Sequence, residues 1–303
     1  MAAAAPAKAL SGAAFATLLL IALMMGANHV AARISFNNGV DVATAVVFRS
    51  GITASVLAVL IAVQGVRLQF TPRHRRMLPA IGLLIGVQSL CLYSAVARLP
   101  VALALLAFNT YPIWAALWSA AIYRKPPEKP LLIAMPVILL GLALALDVFG
   151  AASGLGASGQ WTRIGAGVGF ALAAAATFAL AMVMTQHEAG DVDGRVRSAT
   201  TMTVAGLVAL AMVVGQGGLQ LPAAPAGWGG LAALTLLYGT AFTIMFTVLP
   251  RLGVVGNSAI MNVEPVFALV LAWLILEQAI APVQLLGALL VVGTVMALGL
   301  RKR

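Results

Sequence analysis

Apolar runs recur along the whole chain, each closed by a short break of polar, charged, Pro or Gly residues. Read between those breaks, the pattern predicts helices near 11 to 33, 42 to 64, 77 to 97, 101 to 123, 130 to 147, 163 to 186, 197 to 215, 227 to 249, 254 to 276 and 282 to 300. A hydrocarbon core about 30 Å thick takes roughly 20 apolar residues per helical crossing, so these runs have the length of spans. The expected fold is an all-α integral membrane protein with ten transmembrane helices. Composition agrees, because 303 residues that are 62% apolar and 9% charged leave the bilayer as the natural solvent. Cys91 stands alone, which excludes a disulfide framework within the chain and any cysteine-based metal cage.

The net charge of +10 raises nucleic acid as a partner. The basic residues lie in short connectors and form no continuous basic face, so no nucleic-acid partner is expected. Orientation accounts for them better. With the N-terminus in the cytoplasm, inner segments hold Lys8, Arg67, Arg73, Arg75, Arg76, Arg124, Lys125, Lys129, Arg195, Arg197, Arg251, Arg301, Lys302 and Arg303, and outer segments hold only Arg33, Arg98 and Arg163. That bias predicts both termini inside. Residues 1 to 27 resemble a signal peptide in outline, with Lys8 ahead of an apolar stretch, but cleavage would leave nine spans; the segment is taken as the first helix.

Shifting the sequence by 153 places residues 98 to 115 over 251 to 268, with identities at Arg98/Arg251, Leu99/Leu252, Val101/Val254, Asn109/Asn262, Pro112/Pro265 and Ala115/Ala268. Five-helix spacing makes these matched helices run in opposite directions, which is an inverted repeat. The expected organisation is a first five-helix repeat over 1–148, a periplasmic linker over 149–162 and a second five-helix repeat over 163–303.

Arg49 early in helix two, the Leu99-Pro100 junction before helix four, and Asn262-Val263-Glu264-Pro265-Val266-Phe267 followed by Leu276-Glu277 make the chain similar to the EamA family of the drug/metabolite transporter superfamily, over nearly its whole length. Members usually end helix four on a Gly-Glu-type pair, where Tyr123-Arg124-Lys125 stands here. The resemblance implies export of amino acids or related metabolites, in a bacterial inner membrane.

Ionisable groups are costly in hydrocarbon, so the few inside spans, His29, Arg49 and Glu264, are candidate functional residues. Counting rise per residue from the outer ends puts Asn28 and His29 about 8 Å deep, Arg49 about 10 Å, Asn109 about 12 Å and Glu264 about 18 Å, the depths of a shared outward-facing vestibule. The Arg49 donor fork suits a substrate carboxylate, or else ties helices to backbone carbonyls or snorkels to headgroups. Glu264 and His29 are the proton-coupling candidates, since each exchanges protons; the competing role is a structural polar tie. Asn28, Gln88, Tyr93, Asn109, Tyr111 and Tyr238 complete the candidate substrate-binding set by position and hydrogen-bonding ability. Pro112 and Pro265 each remove a mid-span hydrogen bond, freeing the carbonyls of Phe108 and Met261, as in broken helices that line transport cavities or in simple kinks. On an ideal helix Asn109 and Tyr111 face different ways, as do Asn262 and Glu264, unless the helix is distorted. Tyr111, Trp114 and Trp118 share a face that would stack a substrate ring or meet lipid. Gly82 with Gly86, and Gly165, Gly167 and Gly169, read as close helix-packing surfaces.

Gly154, Gly156 and Gly159 spell the spacing of a dinucleotide-binding turn but follow no strand. No Walker lysine, metal-spaced cluster or nucleophile elbow occurs, so no catalytic residue, cofactor or metal is expected. The leading function is a secondary transporter or facilitator for small metabolites, with membrane lipid and a small-molecule substrate as partners. The alternative is a membrane-embedded enzyme acting on lipid or isoprenoid substrates. Oligomeric state has no signature in the sequence.

Overall fold

The structure is a computed structural model that describes residues 12–125, 127, 129–248 and 263–301. Lys8, Met261, Asn262, the 251–262 part of the repeated segment and the charges at Lys302 and Arg303 lie outside the described residues. The described chain is helical throughout, in the order α1 (Gly12–Asn37), α2 (Val42–Val63), α3 (Pro72–Arg98), α4 (Val101–Phe108), α5 (Tyr111–Tyr123), α6 (Lys129–Ala145), α7 (Gly156–Glu188), α8 (Gly194–Gly215), α9 (Pro225–Thr247), α10 (Glu264–Leu276) and α11 (Pro282–Arg301). Among the described residues there is no strand. Seven stretches are long and apolar enough to cross a membrane, α4 and α5 counting together as Val101–Tyr123. Lys129–Ala145, Glu264–Leu276 and Pro282–Leu298 are shorter apolar helices.

Several boundaries move from the sequence expectation for local reasons. α3 begins at Pro72 rather than 77, because Thr71 caps it: Thr71 Oγ1 accepts from the His74 N–H at 3.2 Å while His74 Nδ1 accepts from the Thr71 N–H at 3.3 Å. α6 stops at Ala145, and Asp147 turns the chain with φ 48° while accepting from the Ala152 and Ser153 N–H groups at 3.0 and 2.8 Å. α7 starts at Gly156, so the second half of the Gly-rich connection is helix rather than loop. Gly156 and Gly159 thus belong to a helical turn that no strand precedes.

The predicted fourth helix is broken. α4 ends at Phe108, Thr110 Oγ1 folds back to donate to the Ala107 carbonyl at 2.8 Å, and α5 opens at Tyr111 with Pro112 in its first turn. Pro112 has no N–H for the Phe108 carbonyl, which is the physical cause of the break. Val101 through Ala107 are all buried, so α4 is an internal strut with no lipid face. α10 repeats the geometry of α5 at an offset of 153 residues. Each helix has 13 residues, a Pro in its first turn and a preceding residue in near-identical conformation, Thr110 at φ −72° and ψ −5° and Val263 at φ −77° and ψ −9°. Each ends on a left-handed residue, Arg124 at φ 55° and Glu277 at φ 54°, and the next N–H returns to a carbonyl six residues back, Lys125 to Ser119 and Gln278 to Ala272. The two helices run in opposite directions. α5 ends beside the C-terminus of α7, where the Tyr123 hydroxyl donates to Glu188 at 2.8 Å. α10 ends beside the N-terminus of α7, where Gln278 and Gln160 line one cavity.

Helix neighbours pair as α1 with α9 and α10, α2 with α8, α3 with α7 and α8, and α6 with α11. Glycines set the closest approaches. A Cβ on Gly287 would fall 2.4 Å from the Gly141 carbonyl oxygen, and one on Gly82 or Gly86 would meet Val204 or Ala205 on α8. Gly167 packs under Leu99, whereas Gly169 faces open space and Gly165 meets only Trp161 of its own helix, so the expected packing stripe on α7 reduces to one residue.

Candidate functional site

The polar residues predicted from scattered positions converge midway through the bundle. α1 supplies Asn28 and His29, α2 supplies Arg49 and Thr53, α3 supplies Gln88, Ser89 and Tyr93, α9 supplies Tyr238, and the start of α10 supplies Glu264. His29 Nε2 lies 3.3 Å from Glu264 Oε1. The approach depends on Gly26, one turn earlier on the same face of α1, where a Cβ would sit 3.0 Å from the Ala268 nitrogen and 3.1 Å from the Glu264 carbonyl oxygen. Only a residue without a side chain allows α1 to reach the α10 backbone there.

Arg49 is held between two aromatic faces, its guanidinium carbon 4.7 Å from the Tyr93 ring centre and 4.1 Å from that of Tyr238. Such cation–π contacts strengthen when desolvated, and Arg49 is only 3% exposed. Its Nη2 donates to Ser89 Oγ at 2.6 Å, and Ser89 in turn donates weakly to Gln88 Oε1 at 3.4 Å. Tyr93 is fixed from three directions. Its hydroxyl donates to Asn28 Oδ1 at 2.9 Å, and its ring meets His29 and Phe36 edge-on at 5.8 and 5.7 Å between centroids. Arg49 therefore neither snorkels nor ties to backbone carbonyls in the described contacts; among the described ion pairs it has no carboxylate, and Glu264 pairs with His29 instead.

The site is closed rather than an open vestibule. Asn28, His29 and Tyr93 are 0, 2 and 0% exposed, and the Glu264 side chain, at 22%, is the accessible edge. Tyr111 lies on that edge, near enough for the Glu264 charge to act on its phenol, with its ring against Phe108 and Phe178 at 5.9 and 5.4 Å. Asn109 is the C-cap residue of α4 and is buried. Trp118 is drawn away: its Nε1 donates to the Ala176 carbonyl at 3.0 Å, a tie between α5 and α7.

Four buried polar atoms of the cluster have no protein partner: Asn28 Nδ2, His29 Nδ1, Arg49 Nε and Thr53 Oγ1. Each such group costs on the order of 1–3 kcal/mol unless something satisfies it. They are gathered around one permanent cation, Arg49, and one carboxylate–imidazole pair, Glu264 with His29. Thr53, Ser89 and Gly26 were missed by sequence reasoning. Thr53 sits four residues beyond Arg49, so the helical repeat from that arginine is the signal that points to it.

An all-helical bundle with span-length apolar helices around a buried, incompletely satisfied polar cluster defines a multi-pass membrane protein of transporter type. The chain belongs to the EamA-like transporter family, whose family model matches residues 11–146 and again 165–300. No curated protein matches. One solved structure, described only as "Crystal structure of protein", is similar with a TM-score of 0.62 at 20% identity, covering 95% of this chain and 99% of its own. At that identity the likeness bears on the fold alone.

Proposed function

We propose that this chain is a secondary transporter or facilitator that exports amino acids or related carboxylated metabolites across a bacterial inner membrane by alternating access. The observation that carries the reading is Arg49, clamped between Tyr93 and Tyr238 beside the His29–Glu264 pair, with buried donors on Asn28 and Arg49 that have no protein partner. Arg49 anchors the substrate carboxylate, the tyrosines keep its fork from rotating, and the His29–Glu264 pair meets an amine or carries a proton. In this reading all ten apolar stretches cross the bilayer as two inverted five-helix repeats, 1–148 and 163–303, joined by a periplasmic linker over 149–162. The opposed α5 and α10, with matching caps 153 residues apart, support the inverted relation. The linker end of the bundle carries Arg33, Arg98 and Arg163, the opposite end carries Arg67, Arg73, Arg75 and Arg76, and the positive-inside rule makes the second end cytoplasmic.

Alternation would act on α5 and α10, the two helices with matching ends and a Pro in the first turn. They start at Tyr111 and Glu264, beside the site, where a tilt of either would change access to it. The test is flux into vesicles reconstituted with the purified chain and a panel of labelled amino acids, their amides and their decarboxylated amines. Saturable movement of the carboxylated members supports the proposal, and equal movement of amines and amides contradicts the Arg49 assignment.

A further inference from the structure

The linker end of the bundle holds a second site that the central cluster does not use. A cavity of about 380 Å³, within the range of small-molecule pockets, is bounded by Arg33, Arg98, Arg163, Asp147, Leu99 and Gln278 among others. Three guanidinium groups thus share it with one carboxylate. Asp147 does not neutralise them, because its two oxygens accept from the Ala152 and Ser153 backbones, and none of the described ion pairs includes any of these four residues. Glu277, next in sequence to Gln278 at the rim, is exposed and pairs with none of the three arginines in those ion pairs.

The arginines are held rather than loose. Arg33 Nη1 donates to the Val96 carbonyl at 2.6 Å and to that of Leu99 at 3.4 Å, while its Nε is buried without a protein partner. Arg98 Nη1 donates to the Ser94 carbonyl at 2.9 Å, and its guanidinium lies 4.8 Å over the Phe170 ring. Most of the fork on each remains for another acceptor, and a cluster of fixed forks with excess positive charge is the chemistry that recognises an oxyanion.

The cavity is also in line with the central site. Arg33 follows His29 by four residues on α1, the same face about 6 Å further along. Val96 and Leu99, which Arg33 grips, follow Tyr93 on α3 by about one and two turns. α4 spans the same interval, with Leu103 on the cavity and Phe108 at the break, roughly 8 Å apart along the axis.

We infer that this cavity is an oxyanion-binding station at the linker mouth of the translocation route, taking the carboxylate of an organic anion. Its place on the route rests on the central-site reading; the binding itself does not. Arg33 is the element common to both, pinning α1 to α3 between the two sites while lining the cavity.

The experiment places a reporter cysteine at Ala152, an exposed lining residue, in a Cys91→Ala background, and measures its labelling by a neutral methanethiosulfonate in maltoside micelles. Benzoate is the probe anion and benzamide its uncharged control. Benzoate is expected to slow labelling several-fold while benzamide leaves it unchanged, and Arg98→Gln with Arg163→Gln is expected to abolish the protection. Arg49→Lys is expected to leave it intact, which separates this site from the central one. If the double variant does not fold, Arg163→Gln alone, whose side chain makes no hydrogen bond among the described residues, must reduce the protection. Labelling untouched by benzoate, or protection that survives loss of the arginines, overturns the proposal. The same measurement in phosphatidylglycerol and phosphatidylcholine nanodiscs identifies the source: labelling blocked in both regardless of benzoate assigns the arginines to lipid headgroups and overturns the proposal.

Discussion

His29 on α1 and Glu264 at the first turn of α10 meet at 3.3 Å, the one described ion pair between side chains within the bundle interior. The pair joins α1, in the first stretch matched by the family model, to α10, in the second. If it carries protons, Glu264→Gln keeps a hydrogen-bonding side chain and the fold, retains substrate exchange, and loses any acceleration by an imposed pH gradient. If Glu264 only holds an amine, exchange weakens and the gradient effect persists. Flux in reconstituted vesicles with and without the gradient distinguishes them, and a variant equal to the parent in both removes Glu264 from the mechanism.

Gly26 sets that distance. An added methyl at Gly26 meets the Ala268 nitrogen and Glu264 carbonyl oxygen at 3.0 and 3.1 Å, and both are backbone atoms that cannot rotate aside. Gly26→Ala is therefore expected to force α1 from α10, costing about 1–3 kcal/mol of stability and lowering flux. Gly169→Ala, which meets nothing within 4 Å, is the control and should match or slightly exceed the parent in apparent melting temperature.

Arg124 and Glu277 adopt the same left-handed cap although neither is glycine. That conformation costs an L-residue roughly 1–2 kcal/mol, and glycine is the usual residue there. Arg124→Gly, at an exposed position, should raise the apparent melting temperature in detergent; an unchanged or lower value would mean that contacts of the arginine offset the strain.

Much of this was legible in the sequence. Runs of span length led to helices close to their expected places, with α3 and α7 starting earlier, and Pro112 marked the break between α4 and α5. Ionisable residues inside apolar runs led to His29, Arg49 and Glu264, because burial makes such groups rare unless they meet. The pairing was not legible: separation along a helix cannot say that Glu264 meets His29 rather than Arg49. Nor was the role of Gly26, since one glycine in an apolar helix carries no mark of the backbone facing it. The departure at Tyr123-Arg124-Lys125 changes residue identity while the backbone cap stays the same, which side-chain comparison alone does not reveal.

Asp147 gives a pH dependence outside the helices. Burial opposes its ionisation, but the hydrogen bonds from Ala152 and Ser153 outweigh this and hold its carboxyl below the ordinary range. A carboxyl depressed in the folded state stabilises fully above its unfolded value of about 3.9 and loses that contribution as pH falls through the folded value. Asp147→Asn tolerates the left-handed turn but gives up one acceptor oxygen, so it should melt below the parent at neutral pH, by on the order of 1 kcal/mol. The gap should close below about pH 4. A gap that does not change with pH would show that the carboxylate charge has no part in holding the turn.

The most direct measurement of the central claim compares leucine with leucinamide in vesicles carrying the parent or Arg49→Lys. The substitution keeps the charge and loses the planar fork between Tyr93 and Tyr238. The account predicts that the parent moves leucine in preference to leucinamide, and that Arg49→Lys, reconstituted at the same level, loses leucine flux by about tenfold, the equivalent of 1.4 kcal/mol. Equal flux of both compounds in the parent, or leucine flux in Arg49→Lys that matches the parent, would contradict it.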